Sequence, residues 1–274
     1  MQRPPLRTSI PLGIIMIFVA MAFLPGDRDL LPRKYSLRIL SYNIHHAEPP
    51  SKPGVIDLDA IAKVINDQRP DLVALQEVDV FTRRSGESIN QAVELGKKTG
   101  MEAYFFKAID YAGGEYGVAI LSKLPVTSTD RYPLPRNAGS SGEPRILATA
   151  TVQLSAKDSF LFACTHLDAQ RDSTDRLLQI NAIIGHLRDS AIPTIIAGDF
   201  NAVPGSGIIR ILDQHFTRTC NPCDYTIPVT EPTRAIDFIA YRPGTKFKVI
   251  SHNVIPERYA SDHLPVLAVL EISY

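Results

Sequence analysis

The sequence has no net charge, and this limits the partners that it is expected to bind. Its 274 residues contain 29 basic and 29 acidic side chains. Proteins that hold nucleic acid through many phosphate contacts usually carry a basic excess. Nucleic acid is therefore not favoured as a partner, although it stays open as an alternative, and no protein partner is predicted.

The sequence also has no clear membrane-spanning run near its amino terminus. The uncharged segment Pro11–Leu24 is shorter than the roughly 20 apolar residues that span a bilayer. Arg3 and Arg7 precede it, and the Ala-Met-Ala stretch at 20–22 offers a small-x-small cleavage site. Residues 1–24 are predicted to be a signal peptide, which would make the protein periplasmic or extracellular. The alternative is an uncleaved amino-terminal anchor that associates the protein with a membrane.

Cysteine is scarce, with three residues in the chain. Cys164 lies in an apolar strand pattern and is predicted to be a buried small hydrophobic residue. Cys220 and Cys223 form a C-x-x-C pair among Pro, Asp and Thr residues, whereas a redox pair normally follows a strand and opens a helix. A zinc site would need two more ligands nearby. A local disulfide in an exported protein is the favoured interpretation.

Strand and helix patterns fill residues 35–274, which follow a predicted linker at 25–34. Three helices are predicted: 56–68 with Asp57 as its cap, 88–100 closed by Gly100, and 172–188. The predicted strands are 36–44, 71–78, 102–109, 116–122, 126–134, 145–154, 159–167, 193–199, 235–241, 247–255 and 265–272.

This order of elements is neither strictly alternating nor all-β. It predicts an α/β (α+β) four-layer sandwich, in which two mixed β-sheets pack face to face with helices on both outer faces. Residues 134–144 are rich in Gly, Ser and Pro and are predicted to be a mobile surface loop. Residues 213–234 are predicted to be a second irregular excursion, of the kind that often carries substrate contacts.

Polar side chains recur where the predicted strands end. A single Asn or Asp after a strand is usually a turn residue that bonds its own backbone. Repetition at six comparable points favours one shared site over independent turns. The residues are Asn43, Glu77, His166, Asp168, Asp199, Asn201, Asp237, Asp262 and His263.

These residue types suit metal-assisted phosphoryl transfer. Carboxylate and amide oxygens are the ligands that Mg²⁺ prefers, and Mg²⁺ also binds substrate phosphate oxygens. A neutral imidazole held by a carboxylate can take a proton from water, and Asp237 with His263 would form such a pair. The composition of the set therefore predicts a hydrolytic site.

The order of the motifs gives a more specific prediction. SYNIH, LQEV, YGVAILSKLP, THLD, GDFN, IDFI and SDHLP follow one another between Ser41 and Pro265. They resemble the endonuclease/exonuclease/phosphatase superfamily, whose fold is that of pancreatic deoxyribonuclease. The resemblance covers the whole predicted catalytic domain, 35–274, and GDFN with SDHLP is its most specific part.

The resemblance implies a metal side to the site. Glu77 is expected to be the main ligand of Mg²⁺, with Mn²⁺ as an alternative. Asn43 is expected to assist it, and Asp262 to lie near the metal.

It also implies a side that carries out the proton chemistry. Asp199 is expected to orient or deprotonate the attacking water, and Asn201 to stabilise and bind the phosphoryl oxygens. His263 resembles the essential histidine, oriented by Asp237, and His166 resembles a second histidine that donates to the phosphate. Either Asp199 or His263 is the base.

Two further side chains are open to two interpretations each. Arg145 is either a phosphate contact or an ordinary surface arginine. Tyr116 either lines the cleft or packs in the core.

The resulting prediction is a Mg²⁺-dependent phosphoesterase in which activated water attacks the phosphorus of a phosphodiester or phosphomonoester. Export argues against DNA repair and cytosolic roles, and the absence of net positive charge argues against a nuclease that binds duplexes. A lipid or small-molecule phosphodiester is the favoured substrate, and a lipid substrate would be a second route to membrane association. A secreted nuclease is the alternative. An inactive binding protein on the same fold is less favoured, because the set of site residues is complete.

Overall fold

Two mixed β-sheets contain the strands of the part of the chain that the computed structural model describes, residues 1–2, 32–244 and 246–274. Residues 3–24 of the predicted signal peptide or anchor and most of the predicted linker therefore lie outside the described residues. Across the described ranges, every helix is too short or too polar to cross a membrane. Residues Arg33–Tyr274 form one compact unit.

The described strands follow one another along the chain and divide between the sheets. In chain order they are β1 Lys34–Asn43, β2 Leu72–Val80, β3 Glu102–Tyr111, β4 Gly114–Ser122, β5 Val126–Pro133, β6 Ile146–Gln153, β7 Ser159–His166, β8 Thr194–Asp199, β9 Thr217–Arg218, β10 Asp237–Tyr241, β11 Phe247–Val254 and β12 Val266–Ser273. The first sheet has the spatial order β11-β12-β1-β2-β4-β3, and the second has the order β5-β6-β7-β8-β10-β9.

The helices begin and end at recognisable signals. They are α1 Leu58–Gln68, α2 Gln91–Thr99, α3 Thr174–Leu187 and α4 Gly207–His215. The side chain of Asp57 accepts a hydrogen bond from the backbone of Ala60 and so caps α1, as predicted. Gly100 ends α2 in the left-handed conformation, with φ of 65°, also as predicted.

Helix α4 was not predicted from the sequence. Ser206 caps it, since its side chain accepts from the backbone of Ile209. The helix begins with Gly-Ile-Ile-Arg-Ile, and a short run rich in β-branched residues does not distinguish a helix from a strand by its period. Burial of Ile208, Ile209 and Leu212 against the second sheet decides the outcome.

Three layers of apolar side chains hold the sandwich together. The central layer lies between the sheets and contains Ile39 from β1 and Phe162 from β7, both fully buried. Helices α1 and α2 cover the outer face of the first sheet, and α3 and α4 cover that of the second. The predicted four-layer sandwich is confirmed.

The strand order brings the predicted site residues together. Strands β1 and β2 are parallel, and so are β7 and β8. Neighbouring parallel strands end at the same edge of a sheet. His166, the last residue of β7, therefore pairs with Asp199, the last residue of β8. Antiparallel β10 places Asp237 opposite Asp199 on its other side.

The loops and cysteines have definite contacts. In the loop predicted at 134–144, Leu134 is buried, and the backbone N–H of Asn137 donates to Asp175 of α3 at 2.6 Å. Cys220 and Cys223 form a disulfide, and Cys164 is a buried free thiol, as predicted for all three.

Candidate active site

A cleft of about 260 Å³ lies where the two sheets present their polar strand ends. Six predicted site residues line it: Glu77, Arg145, His166, Asp199, Asn201 and His263. Two more, Asn43 and Asp237, bond directly to residues of the cleft. The remaining lining residues are Arg84, Tyr111, Tyr116, Glu143 and Ala169.

Glu77 reaches the cleft because its strand contains a bulge. The register between β2 and β4 shifts between Leu75 and Val78, and Glu77 has φ of 59°. Few residues other than glycine adopt this region, and a bulge of this kind re-aims one side chain. The carboxylate is turned into the cleft and accepts a hydrogen bond from Asn43 Nδ2 at 2.9 Å.

Asn43 connects the two sheets at the floor of the cleft. Its Nδ2 also donates to Asp199 Oδ2 at 3.2 Å, so one amide bonds to carboxylates from both sheets. Its Oδ1 accepts from the backbone N–H of His45 at 3.1 Å. The hydroxyl of Ser261 donates to the Asn43 carbonyl at 2.7 Å, which ties the loop before His263 to β1.

Asp199 is buried, with 1% of its surface exposed, and its environment resists the charged form. Burial and the nearby Asp237 carboxylate raise the pKa of Asp199 to about 7, against the opposing effects of His263 and two hydrogen-bond donors. Those donors are the backbone N–H of Asn201, at 2.8 Å from Oδ1, and Asn43. A carboxylate with a pKa near neutrality is suited to accept a proton.

The environment of His263, in contrast, favours its charged form. Burial by itself would lower the pKa of His263, but the carboxylates of Asp237, Asp199 and Asp262 outweigh it and raise the pKa to about 10. Nδ1 lies 3.1 and 3.0 Å from the two oxygens of Asp237, and Nε2 lies 3.8 Å from Asp199 Oδ2. The hydroxyl of Thr226 donates to Asp237 and holds that carboxylate in place. His263 is therefore positively charged at neutral pH.

His166 is held in one tautomer by its neighbours. Arg145 Nη1 lies 3.2 Å from His166 Nδ1, and a guanidinium can only donate, so Nδ1 accepts and Nε2 carries the proton. Nε2 lies 3.5 Å from Asp199 Oδ2, which can accept this proton. Asn201 Nδ2, 3.1 Å from Nε2, is itself a donor and bonds to the carbonyl of Leu167 at 3.0 Å. Burial, Arg145 and His263 lower the pKa of His166 well below its usual range. His166 is therefore a neutral donor that faces the cleft.

Burial decides between the two interpretations of Arg145 and between those of Tyr116. Arg145 is 6% exposed and contacts His166, so it is not an ordinary surface arginine. Its Nη2 pairs with Glu143 at 3.1 Å. Tyr116 is 7% exposed and lines the cleft, so it contributes to the core and to the site.

Asp262 lies next to His263 in the chain and outside the set of cleft-lining residues. It is half-buried and accepts a weak hydrogen bond from Ser261 Oγ at 3.4 Å. Its carboxylate acts on His263, whose pKa it helps to raise. Its position fits an electrostatic role towards His263.

A second arrangement of donors among the described residues could also hold a cation. Ligand atoms of Asp199, Asp237 and His263 all lie within 4.8 Å of one another. Asp237 already accepts from Thr226 and bonds to His263 Nδ1, which needs a proton on that nitrogen. A protonated dyad accounts for this cluster, and the carboxylate of Glu77 fits a hard cation better.

Several residues of the cleft were not singled out from the sequence. Arg84, Tyr111 and Glu143 line it, and Thr226 supports Asp237 from the irregular segment predicted at 213–234. None of them follows a strand in a recognisable motif. Only the general expectation that the irregular excursion carries functional contacts pointed towards Thr226.

With this geometry established, comparison with known proteins identifies the family. Residues 40–263 match the Endonuclease/Exonuclease/phosphatase family. The chain belongs to this family. Its members are hydrolases that act on phosphoester bonds, and they generally depend on divalent cations.

Solved structures share the fold. An endonuclease/exonuclease/phosphatase from Beutenbergia cavernae DSM 12333 has 26% sequence identity and a TM-score of 0.70, with 86% of this chain and 72% of that chain covered. A mannosyl-6-phosphatase from Bacteroides thetaiotaomicron VPI-5482 has 19% identity and a TM-score of 0.69, with coverage of 85% and 99%. The human Nocturnin catalytic domain has 18% identity and a TM-score of 0.69, with coverage of 89% and 97%.

Proposed function

We propose that this protein is a Mg²⁺-dependent phosphoesterase that hydrolyses a phosphodiester or phosphomonoester by attack of activated water at phosphorus. One observation supports this above all. The buried Asp199 lies within 3.8 Å of His263 on one side and shares the amide of Asn43 with Glu77 on the other. A proton acceptor, a cation ligand and a positive donor therefore meet in one cleft.

The donors around Glu77 fit Mg²⁺, or Mn²⁺ in its place. The bulge turns a carboxylate into the cleft, where Asn43 orients one of its oxygens, and a carboxylate is a ligand that suits a hard cation. Glu77 would hold the cation, with Asn43 supporting it. When bound, the cation would withdraw charge from the phosphoryl oxygens.

The residues of the chain itself would supply the proton chemistry. Asp199 orients the attacking water and takes its proton, because its raised pKa favours protonation once the water approaches. His166 Nε2–H and Asn201 Nδ2–H donate to the phosphoryl oxygens. The charged His263 stabilises the negative charge that develops near Asp199.

A lipid or small-molecule phosphodiester remains the favoured substrate in this proposal. The chain has no excess of basic residues with which to hold a duplex. The mannosyl-6-phosphatase among its fold relatives supports small phosphate esters as a substrate class.

A panel of substrates tests the proposal directly. The purified protein is assayed on bis-p-nitrophenyl phosphate, p-nitrophenyl phosphate, sphingomyelin vesicles and plasmid DNA, with Mg²⁺ and with EDTA. We expect hydrolysis of a phosphodiester with Mg²⁺ and none with EDTA. Full activity in EDTA would contradict the metal assignment, and faster cleavage of plasmid than of sphingomyelin would favour the nuclease alternative.

Two variants test the roles of the residues. Asp199→Ala and His263→Ala are each expected to abolish turnover while circular dichroism stays unchanged, since both remove groups that face the reacting atoms. Glu231→Gln, at an exposed position, is the control. Normal turnover in either cleft variant would overturn the proposed mechanism.

We also propose that the protein is exported. The basic residues and apolar run at its amino terminus support a signal peptide, and the Cys220–Cys223 disulfide suits an oxidising compartment. Fractionation of cells that express the full chain, with amino-terminal sequencing of the product, tests this. A product that retains residues 1–24 in the membrane fraction would favour the anchor.

A further inference from the structure

A further cationic group, Arg84, enters the cleft from the segment that follows β2, and a buried acid fixes its position. Asp79 is fully buried, and its carboxylate accepts from Thr82, Ser85 and Arg84. Arg84 donates twice, through Nε at 2.7 Å and Nη2 at 2.9 Å. A buried carboxylate is costly unless it is paired and fully bonded. The network satisfies Asp79 and at the same time locks the guanidinium of Arg84 in one orientation.

Two aromatic rings hold the same guanidinium from its faces. The Cζ atom of Arg84 lies 4.4 Å from the ring centre of Tyr111 and 5.5 Å from that of Tyr116. Stacking of this kind suits arginine better than lysine, because the guanidinium is planar. Arg84 and both rings line the cleft, and the Arg84 side chain keeps 30% of its surface exposed.

The outer edge of this guanidinium is available to a ligand. A guanidinium has five N–H donors, and Asp79 takes one from Nε and one from Nη2. Within the described ranges, no hydrogen bond from Nη1 is present. Arg145 differs, since Glu143 and His166 already occupy its two terminal nitrogens. Arg84 is thus a rigid donor with an unused edge.

Tyr116 is a neighbour both of this donor and of residues at the reacting centre. Its ring lies beside Arg84, and Glu77 and Arg145 are near enough to act on its hydroxyl. An anion bound by Arg84 would therefore lie beside the scissile phosphate, and it would be a separate group of the same substrate.

We propose that Arg84 forms a second anion subsite, and that the enzyme prefers phosphate esters that carry an additional phosphate group close to the scissile one. The inference rests on the proposed phosphoesterase function and names a substrate class for it. Asp79 and the two tyrosines position the guanidinium, and Arg84 contacts the additional phosphate.

A matched pair of substrates tests the subsite. Thymidine 5′-(p-nitrophenyl phosphate) is compared with the same compound carrying a 3′-phosphate, both with Mg²⁺, through release of p-nitrophenol. We expect kcat/KM to be about tenfold or more higher for the 3′-phosphorylated ester, as a charge-assisted bidentate contact provides. Arg84→Gln is expected to bring this ratio close to one, mainly through KM.

Two further variants serve as controls for the effect of Arg84→Gln. Arg83→Gln changes the neighbouring exposed arginine and is expected to keep both the activity and the ratio. Arg84→Gln leaves Asp79 without its partner and so endangers folding. The double variant Asp79→Asn/Arg84→Gln removes both charges and is expected to lose the same preference. An unchanged ratio in either folded Arg84 variant would overturn the subsite.

Direct binding separates this inference from the proposed function. Isothermal titration calorimetry in the presence of Mg²⁺ measures the dissociation constants of thymidine 3′,5′-bisphosphate and of thymidine 5′-phosphate, and the two are compared. If neither ester is cleaved but the bisphosphate binds more tightly to the wild type and not to Arg84→Gln, the subsite stands and the phosphoesterase proposal fails. If the esters are cleaved without preference and the two nucleotides bind alike, the phosphoesterase proposal stands and the subsite fails. If neither cleavage nor preferential binding occurs, both are overturned.

Discussion

At the level of single residues, three carboxylates act on the imidazole of His263, which lines the cleft. Asp237, Asp199 and Asp262 together raise the pKa of His263, and burial raises that of Asp199. These pKa shifts give Asp199 and His263 opposite roles. Asp199 can lose or accept a proton near neutrality, and His263 keeps its charge well above it. This separation favours Asp199 as the base, a choice that the sequence left open.

The pH dependence of turnover follows from these shifts. Asp199 must be deprotonated to act, so kcat/KM is expected to rise as the pH increases through its pKa of about 7. A bound cation lowers that pKa, so the limb is expected at or below neutral pH. Activity is expected to fall again as His263 loses its proton near pH 10. Rates on bis-p-nitrophenyl phosphate across pH 5 to 11 measure both limbs, and a rate that is independent of pH would contradict the assignment.

Asp262 provides a test of the electrostatic account. Asp262→Asn removes one of the charges that raise the pKa of His263, so the alkaline limb is expected to move to lower pH while the acidic limb changes less. Glu231→Gln, an exposed acid, is expected to leave both limbs in place. If Asp262→Asn instead raises the Mg²⁺ concentration needed for activity without moving the limb, Asp262 belongs to the metal site.

At the level of elements, close contact between β7 and β8 keeps His166 beside Asp199. A Cβ atom at Gly198 would lie 2.1 Å from the carbonyl oxygen of Thr165, so only glycine permits this approach. The bulge in β2 has a comparable role for Glu77. Both features fix side chains through the backbone, which tolerates little adjustment.

Gly198→Ala is expected to destabilise the fold. The added methyl group meets backbone, so β8 must move, and overpacking of this kind costs about 1–3 kcal/mol or more. Thermal unfolding followed by circular dichroism measures the loss, and kcat is expected to fall with it.

Gly185→Ala is the matched control. Gly185 lies in α3, and nothing is found within 4 Å of a Cβ atom placed there. Alanine is preferred over glycine in a helix by about 0.5–1 kcal/mol, so this variant is expected to be slightly more stable. Equal melting temperatures for the two variants would contradict the argument from close approach.

At the level of the whole molecule, the two sheets share one central layer, and the cleft takes residues from both. Glu77 comes from the first sheet and Asp199 from the second, and Asn43 bonds to each. The cleft can therefore exist only while the sheets are packed together. Loss of the central layer should remove activity and structure in one step.

Phe162→Ala tests this cooperativity. Phe162 is fully buried in the central layer, and truncation of such a ring costs about 3–5 kcal/mol. In urea, activity and far-ultraviolet circular dichroism are expected to fall at the same, lowered midpoint. Ile250→Ala, at a residue that is 54% exposed, is expected to leave the midpoint nearly unchanged. Separate midpoints for the two signals would mean that the sheets unfold independently.

Local patterns explain the parts that the sequence predicted well. Asp57 and Gly100 end helices through bonds to adjacent backbone, so their roles are visible in a few residues of sequence. Helix α4 was missed because its apolar run suits either a helix or a strand, and packing against the second sheet decides between them.

The site residues also divide into those that the sequence predicted and those that only the structure reveals. The types and order of Glu77, Asp199 and His263 predicted the chemistry, because a hydrolytic site needs those groups. No sequence motif indicates that Arg145 is buried or that Arg84 lines the cleft. Each depends on contacts with residues distant in the chain, such as His166 for Arg145 and Tyr111 for Arg84.

The sequence by itself determined the four-layer sandwich, the family resemblance and the candidate phosphoester chemistry, since strand periodicity and short motifs are local properties of the chain. The tertiary structure alone decided which ring nitrogen of His166 carries its proton, how the charges of Asp199 and His263 are divided, and that Arg84 borders the reacting centre. These depend on distances and burial, which arise only when the two sheets close on each other.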